Sequence, residues 1–461
     1  MKNNKVELLN GYNAMFRGAY ESGASFFVTA TKSFNKYPLP ECEELKVVSL
    51  TDERNALSYA FGLALSGKRV VCFLTSIPFD LVTEYSYTGI NGSLILVYLE
   101  DNDHLEYDSR PFFKACGYPI FEPADPSELK RFVKISFNFS EKYDVPVVIR
   151  TSRRLFDSLC DVPLAERKVI VDKPYKKDSS KYVLLPSTIK LCAEDIVQRN
   201  VRMTVDSEGF PINQVFDGKI NIGVIASGEV ARSVREAMPD YNLLCLGMSN
   251  PLPINKIKEF AQKMDKLYII EEHPFLENIL RNRGIECVGE DLFPRNGRRT
   301  VKEIAAWIMG KASEKTEKKY GLRTPDFCNE CPLVPIVFSL KKKNLPIFTD
   351  NGCGVLSGCF MSANEVGIKY SLASAIAFSH YNECISFLTV DEFISQITSI
   401  IELDISNITI VVAVSGENYK SYCSLLNAQY EEATLEEFLK IEKLKKIIYF
   451  VKVDKVCKYE M

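Results

Sequence analysis

The chain has 461 residues, of which 46% are hydrophobic and 25% are charged, and its formal net charge is −3. The length is enough for about three domains, and the composition is typical of a soluble globular protein. The slight acidic excess argues against a nucleic-acid-binding or membrane-surface protein, because both bind their partners through clustered basic side chains.

The start of the chain, Met1 to Glu7, contains no apolar run of the kind that forms a signal peptide. The longest apolar runs, such as residues 408–414, are too short to span a bilayer. We therefore expect a cytosolic protein with no membrane partner. The 14 cysteines are then expected to remain thiols, because the cytosol keeps them reduced.

The first 165 residues alternate apolar runs with amphipathic segments, which predicts an α/β domain over residues 1–165. The predicted strands are residues 25–31, 45–50, 69–74, 93–99 and 145–150. The predicted helices are residues 8–21, 52–66 and 126–142. Strands that are apolar along their whole length indicate a parallel sheet covered on both faces.

A polar linker, residues 166–210, separates this domain from a second predicted α/β domain at residues 211–312. Its strands are predicted at residues 220–226, 242–246 and 266–270. A charged helix at residues 302–319 marks the next boundary. The last domain, residues 320–461, has strands predicted at residues 345–349, 384–389, 408–414 and 446–451.

Four cysteines of the last domain carry the sharpest chemical signal. Cys328 and Cys331 form a C-x-x-C pair, Cys353 follows within Asn-Gly-Cys-Gly, and Cys457 lies close to the C-terminus. Four thiolates at one point would hold zinc or an iron–sulfur cluster, which would make the chain a redox protein in the second case. If they do not converge, they are ordinary buried thiols.

Besides the C-x-x-C segment, seven further stretches form a recognisable set: residues 9–14, 17–19, 87–92, 140–147, 181–186, 246–253 and 286–294. Together they resemble the large subunit of indolepyruvate ferredoxin oxidoreductase, a thiamine-diphosphate enzyme. The resemblance runs from near residue 8 to the end of the chain.

This resemblance implies a fold of two thiamine-diphosphate-type parallel-sheet domains, a pyrimidine type first and a diphosphate type last. They flank a transketolase-C-terminal-like α/β domain. It also implies oxidative decarboxylation of a 2-oxo acid, with a smaller oxidoreductase subunit and ferredoxin as partners, in a homodimer or heterotetramer. A ferredoxin-like module usually follows the last domain in this family, and from this sequence we expect a protein without that module.

Glu53 falls where the family keeps the carboxylate that activates the aminopyrimidine of the coenzyme. The predicted location is the start of the helix after strand 45–50, at the sheet edge where α/β folds bind ligands. The alternative is an acid that stabilises the helix start through the macrodipole.

The residues that would bind Mg²⁺ and the diphosphate of the coenzyme depart from the family pattern. Alignment without gaps puts Phe387 and Ser415 where the family has an aspartate and an asparagine, and Phe cannot bind Mg²⁺. A shifted register would supply Asp391 and Asn418 instead. Tyr370 replaces a glycine near the phosphates, where a bare backbone allows close approach.

The resemblance implies that Cys328, Cys331, Cys353 and Cys457 hold a [4Fe–4S] cluster, with structural zinc or no metal as alternatives. Three functions therefore remain open. One is an active subunit that binds thiamine diphosphate with Mg²⁺. Another is a diverged, non-catalytic homologue that serves in electron transfer, as a scaffold or in regulation. The third is a new small-molecule site in the old interdomain cleft, because fold alone does not fix function.

Overall fold

The computed structural model describes residues 5–30, 43–100, 107–292, 299–308, 331–350, 365–367, 370–417, 419–426 and 428–453. The chain divides into two units, residues 1–315 and 316–461. Both units are built on largely parallel sheets with covering helices, so the predicted α/β class is confirmed. The finer division into three domains stays a prediction.

The first unit contains two sheets and a two-stranded ribbon. Its strands are β1 (Val6–Asn10), β2 (Phe26–Ala30), β3 (Lys46–Leu50), β4 (Arg69–Leu74), β5 (Ser93–Glu100), β6 (Ile120–Phe121), β7 (Val147–Ser152), β8 (Leu159–Pro163), β9 (Gln214–Phe216), β10 (Ile220–Ser227), β11 (Tyr241–Leu246), β12 (Met248–Asn250) and β13 (Lys266–Ile269). Its helices are α1 (Gly11–Glu21), α2 (Glu53–Leu65), α3 (Phe79–Thr88), α4 (Arg110–Ala115), α5 (Pro126–Tyr143), α6 (Arg153–Asp157), α7 (Ser179–Tyr182), α8 (Pro186–Glu208), α9 (Gly228–Ala237), α10 (Ile254–Gln262), α11 (Phe275–Asn282) and α12 (Val301–Ile308).

The larger sheet has seven strands in the order β12-β6-β7-β5-β4-β2-β3. Every neighbouring pair is parallel except β12–β6. Strands β4 and β5 are buried along their whole length, as expected for central strands with helices on both faces. All the parallel strands end at one edge, which we call the carboxyl edge, and α/β folds bind ligands at such an edge.

The smaller sheet of the first unit has the order β13-β10-β11-β9. Its central strand β10 is parallel to both β11 and β13. Strand β12, which follows β11 directly, leaves this sheet and pairs with β6 of the larger one. The chain segment from β11 to β12 therefore connects the two sheets.

The predicted helix over residues 8–21 is wrong at its start, since α1 begins at Gly11. The Asn10 side chain accepts a hydrogen bond from Asn13 N at 2.8 Å and caps the helix there. Residues 6–10 form β1, which pairs with β8 in an antiparallel ribbon. A leucine pair such as Leu8 and Leu9 fits a strand as well as a helix, so the apolar pattern alone could not separate the two.

The segment predicted as a linker contains the 23-residue helix α8. Buried Arg199 donates to Ser86 O at 3.1 Å and to Asp144 O at 3.2 Å. Met203 joins the hydrophobic core of the larger sheet. The helical part of this segment is therefore docked on the first unit, whereas residues 166–178 are mostly exposed and irregular.

The described residues of the second unit form one six-stranded sheet in which every pair is parallel. Its strands are β14 (Ile347–Thr349), β15 (Glu365–Gly367), β16 (Ile385–Thr389), β17 (Thr409–Val414), β18 (Tyr430–Thr434) and β19 (Ile448–Lys452). Their order is β15-β14-β16-β17-β19-β18. The described helices are α13 (Val334–Lys341), α14 (Ser371–Ser379), α15 (Val390–Ser395), α16 (Ile397–Glu402), α17 (Lys420–Cys423) and α18 (Leu435–Leu439).

Candidate active site

Glu53 lies at the carboxyl edge of the larger sheet, at the first position of α2. The preceding Asp52 caps this helix by accepting a hydrogen bond from Asn55 N at 2.9 Å. The Glu53 side chain is 9% exposed, and its Oε1 accepts a hydrogen bond from the Thr75 hydroxyl at 2.8 Å. Because Thr75 follows β4, this contact ties the carboxylate to the centre of the sheet.

Cys72, on β4, is not a candidate nucleophile. Burial raises the pKa of its thiol far above the ordinary value, and the negative charge of Glu53 raises it further. A thiol of this kind stays neutral and behaves as a small apolar side chain. The catalytic role of Glu53 on this side of the edge stays a prediction.

A set of buried charges occupies the other side of the carboxyl edge. We call Glu100, Arg110, Glu122, Arg150 and Glu271 the edge cluster. Arg150 Nε and Nη2 donate to the two Glu100 oxygens at 2.7 and 2.9 Å, and Nη1 donates to Glu122 Oε2 at 2.9 Å. Burial by itself would raise the pKa of Glu100, but the Arg150 guanidinium holds that pKa below its ordinary value.

Arg110 joins the edge cluster to the smaller sheet. Its Nη2 lies 2.8 Å from Asp108 Oδ2 and 3.2 Å from Glu271 Oε2, and its guanidinium lies 4.7 Å from the centre of the Phe275 ring. Glu271 in turn accepts hydrogen bonds from Leu276 N at 3.0 Å and from Glu277 N at 2.9 Å, both in the first turn of α11. The edge cluster thus links the ends of both sheets.

Sequence reasoning missed the edge cluster. The available signal was a charged residue at the end of an otherwise apolar run, as at Glu100 and Arg150. The hydrophobic pattern of the sequence predicts that such residues end a strand and face solvent. The structure buries them because their charges are paired, and only tertiary contacts reveal that pairing.

The two possible alignment registers assign the diphosphate-binding residues to different positions in the second unit. Phe387 lies inside β16 and is 2% exposed, so it belongs to the core. Asp391 lies beyond the end of β16, in the first turn of α15, and is half-buried. Ser415 follows β17 directly. Asn418 lies outside the described residues.

The start of α14 is the part of this unit where the family has a glycine. Tyr370 adopts φ 59° and ψ 44°, a left-handed conformation that favours glycine. The first two N–H groups of the helix are already bonded, from Ser371 to Asp350 Oδ1 at 2.8 Å and from Leu372 to Gln396 Oε1 at 3.0 Å. Gln396 Nε2 also donates to Asp350 Oδ2 at 3.1 Å.

Of the four predicted cluster cysteines, Cys331 alone lies in the described part of the chain. It is 6% exposed and packs in the core beside α13. Cys328, Cys353 and Cys457 lie outside the described residues, so their convergence stays a prediction. Within the described ranges no group of three His, Cys, Asp or Glu side chains converges as metal ligands would.

Curated proteins give the first comparison. The chain is 26% identical to the indolepyruvate oxidoreductase subunit IorA of Pyrococcus horikoshii over 81% of its own length and 65% of that protein. It is equally identical to the IorA subunits of Thermococcus kodakarensis, with the same coverage, and Archaeoglobus fulgidus, over 82% of this chain and 68% of that one. The resemblance to this subunit is therefore confirmed.

The chain spans about 65% of the length of the first of these IorA relatives. No protein-family model matches it. Among solved structures it resembles a 2-oxoglutarate:ferredoxin oxidoreductase from Magnetococcus marinus, with a TM-score of 0.53, 15% identity and coverage of 68% of this chain and 66% of that one. That likeness supports the predicted fold. None of the described helices is long and apolar enough to cross a membrane.

Proposed function

We propose that this chain is a subunit of a 2-oxoacid oxidoreductase of the indolepyruvate type. It would oxidatively decarboxylate a 2-oxo acid together with a smaller subunit, with ferredoxin as electron acceptor. The observation that carries the proposal is the buried carboxylate of Glu53 at the carboxyl edge, held by Thr75 at 2.8 Å. Similarity to IorA subunits over most of the chain supports the same function.

The residues around Glu53 fit the aminopyrimidine half of thiamine diphosphate. Bound thiamine diphosphate supplies an electron sink for cleavage of the bond beside the 2-oxo group. Glu53 would hydrogen-bond a ring nitrogen and exchange a proton with it, while Thr75 keeps the carboxylate oriented. The neutral thiol of Cys72 takes no part, because its pKa is raised.

The described residues at the diphosphate end fit less well. Phe387 offers no oxygen to Mg²⁺, and Asp350 and Gln396 already occupy the first N–H groups of α14. Asp391, just beyond the end of β16, offers a carboxylate oxygen that suits Mg²⁺. It would bind the metal together with Asn418. We assign no reaction step to this end.

Cys328, Cys331, Cys353 and Cys457 remain our proposed ligands for a [4Fe–4S] cluster that would carry electrons out of the site. Thiolates are the usual ligands of such clusters. Structural zinc, or no metal, is the competing assignment. A Cys331→Ser variant should lose the visible absorbance of the anaerobically purified protein if the cluster is present.

A second function, a non-catalytic electron-transfer, scaffold or regulatory subunit, is favoured by the occupied helix start at α14 and by the burial of Phe387. It differs from the first in one measurable property. A non-catalytic subunit would release no CO2 from any 2-oxo acid, whatever coenzyme is added.

The deciding experiment measures CO2 release from indolepyruvate and 2-oxoglutarate by the protein purified anaerobically with any smaller subunit that accompanies it. The assay contains Mg²⁺, thiamine diphosphate, coenzyme A as the acyl acceptor and methyl viologen as the electron acceptor. We expect coenzyme-dependent turnover that falls at least about 100-fold in Glu53→Gln, since positioned acid–base groups contribute about that much. Glu84→Gln, an exposed acid on α3, is the matched control and should retain activity. Equal rates for wild type and Glu53→Gln would refute the assigned role.

A further inference from the structure

A run of five residues, Lys168 to Asp172, lies on the surface of the first unit between β8 and α7. We call it the outer segment. Val169 is 95% exposed and Val171 is 87% exposed, whereas Ile170 between them is half-buried. A Cβ at Gly23 would lie only 2.5 Å from the Ile170 Cγ1 atom, so Ile170 points inward onto Gly23. Side chains that alternate in direction in this way indicate an extended backbone.

The outer segment is anchored at its two ends. Lys168 N donates to Glu21 O at 3.0 Å, and Lys173 N, directly after the segment, donates to Gly67 O at 3.3 Å. Between these anchors, the backbone N–H and C=O groups of residues 169–172 have no hydrogen-bond partner in the described part of the chain. The high exposure of both valines leaves these groups open to solvent. An extended segment with unpaired backbone groups is a template for pairing with another strand.

The sequence of the outer segment, Lys-Val-Ile-Val-Asp, is complementary to itself in the antiparallel direction. If Ile170 faces the same residue of a second copy, each valine faces a valine. Lys168 then faces Asp172 of the second copy, twice in the symmetric pair. Asp172 also contacts Lys68 of its own copy, but a carboxylate can accept bonds from two lysines. Opposite charges and β-branched side chains directly across two strands stabilise the pair.

The unpaired backbone groups fit the same register. In an extended segment the N–H and C=O groups of alternate residues point to opposite edges. Because Lys168 N points toward Glu21, the groups of Val169 and Val171 point to the other, outward edge. Val169 of each copy would exchange two hydrogen bonds with Val171 of the other. The lysine–aspartate pairs then occupy non-hydrogen-bonded positions, where facing residues are closest, with Cα atoms about 4.5 Å apart.

The complementary register ends at both sides of the outer segment. One residue further out, Arg167 would face Lys173 of the second copy, and these are like charges. Arg167 is committed to its own copy, because it donates to Tyr20 O at 2.7 Å and to Ala24 O at 2.8 Å. Pro174 has no N–H to donate. A contact of this length is much smaller than a stable interface of about 1,200–2,000 Å², so the association through it is weak.

We propose that the outer segment is a self-association site, which pairs antiparallel with the outer segment of a second copy about a two-fold axis at Ile170. The charges select a second copy as the partner, since the segment carries a lysine at one end and an aspartate at the other. Two-fold pairing uses the outward edge of both copies, so it closes at two copies and does not grow into a fibre. The proposal is independent of the proposed enzymatic function.

The test is sedimentation velocity of the full chain over a range of micromolar concentrations, where we expect a concentration-dependent doubling in mass. Lys168→Glu should weaken this association at least about tenfold, because it turns two attractive pairs into repulsive ones. Asp172→Lys should weaken it for the same reason. The double variant Lys168→Glu/Asp172→Lys restores opposite charges in both pairs and should associate like the wild type. Lys176→Glu, at an exposed position of the same connection, is the matched control and should leave the association unchanged.

Val171→Pro tests the backbone pairing separately. The substitution removes an N–H group that has no partner in the described chain, so the Tm should stay unchanged while the association is lost. Thermal unfolding of every variant shows whether it is folded. If Val171→Pro does not fold, the charge variants decide alone.

A wild type that stays at one mass up to high micromolar concentrations would overturn the proposal. Equal association of the wild type, Lys168→Glu and Val171→Pro would also overturn it, because the contact would then lie on another face. A double variant that associates as weakly as the two single variants would refute the antiparallel register.

Discussion

Arg150 shows, at the scale of single residues, how a buried charge is stabilised by its partners. Its guanidinium bonds both oxygens of Glu100 and one of Glu122, and all three side chains are largely withdrawn from solvent. Such a set can be favourable when complete, but removing one member leaves uncompensated charge in a poorly solvated place.

Replacement of Arg150 by Met should therefore lower the free energy of unfolding by about 3–5 kcal/mol, the range for a broken buried pair. Arg54→Met is the matched control, because the Arg54–Asp80 pair is exposed, with side-chain exposures of 61% and 54%. It should change stability by less than about 1 kcal/mol. Urea unfolding measures the change in the free energy of unfolding for both variants. Equal decreases would show that burial of the Arg150 pair does not cause the destabilisation.

Glu271 gives the protein a pH dependence of its own. Burial raises the pKa of Glu271 from 4.5 to about 7, and Arg110 and two backbone N–H groups oppose that rise only in part, with Asp108 adding to it. The folded state thus holds its proton more tightly than the unfolded state. Its contribution to stability is present below about pH 4.5 and is lost as the pH rises through about 7.

A Glu271→Gln variant lacks this titration, so the stability of the wild type relative to the variant should fall between about pH 4.5 and 7. The steepest expected slope is about 1 kcal/mol per pH unit. Urea unfolding of both proteins across that pH range gives the difference between their free energies of unfolding. Groups that titrate in the same way in both proteins do not contribute to this difference. A difference that does not vary with pH would contradict the raised pKa.

At the scale of elements, the start of α14 depends on two side chains distant in sequence. Asp350, after β14, accepts from Ser371 N at 2.8 Å and from the Gln396 amide at 3.1 Å. Asp350 is 4% exposed and Gln396 2%. This arrangement caps a helix whose own preceding residue, Tyr370, has no side-chain capping bond.

An Asp350→Ala change would leave the Ser371 N–H and one N–H of the buried Gln396 amide without their acceptor, and should destabilise the protein by about 2 kcal/mol. Asp404→Ala is the control in the same unit, because Asp404 accepts from Ser406 N at 2.9 Å on the exposed surface. Asp404→Ala should lower the free energy of unfolding far less than Asp350→Ala does. Chemical denaturation measures the free energy of unfolding of both variants. If Asp350→Ala lowers it as little as Asp404→Ala does, the stabilising role of the buried cap is refuted.

Much of the fold could be predicted from the sequence because central strands such as β4, β5 and β17 are apolar along their length. Strand β1 could not, since its pairing with β8 joins residues far apart in the chain. The docking of α8 was missed for a similar reason, because its anchor is an arginine, Arg199, that bonds backbone oxygens of other elements.

The candidate site was predictable in part. The position of Glu53 followed from a strand-to-helix junction, but the hydrogen bond from Thr75 needed the folded sheet. The sequence leaves two registers open at the diphosphate end, and burial of Phe387 leaves Asp391 as the accessible acid. The edge cluster had no sequence signal beyond charges at strand ends.

The whole molecule combines an α/β fold, similarity to IorA subunits and a buried carboxylate at a sheet edge. In the proposed function the first unit would supply the carboxylate of Glu53 to the aminopyrimidine. The second unit has a parallel sheet, but buried Phe387 and the Asp350 contact at the start of α14 differ from the residues expected at a diphosphate site. The central claim is that the coenzyme still binds and that Glu53 contacts it.

Calorimetric titration of the anaerobically purified protein with thiamine diphosphate in the presence of Mg²⁺ tests this claim most directly. We expect saturable binding that weakens at least about tenfold in Glu53→Gln, as loss of a hydrogen bond to a charged group requires, and that is unchanged in Glu84→Gln. Absence of binding at millimolar coenzyme, or equal affinity in Glu53→Gln, would contradict it.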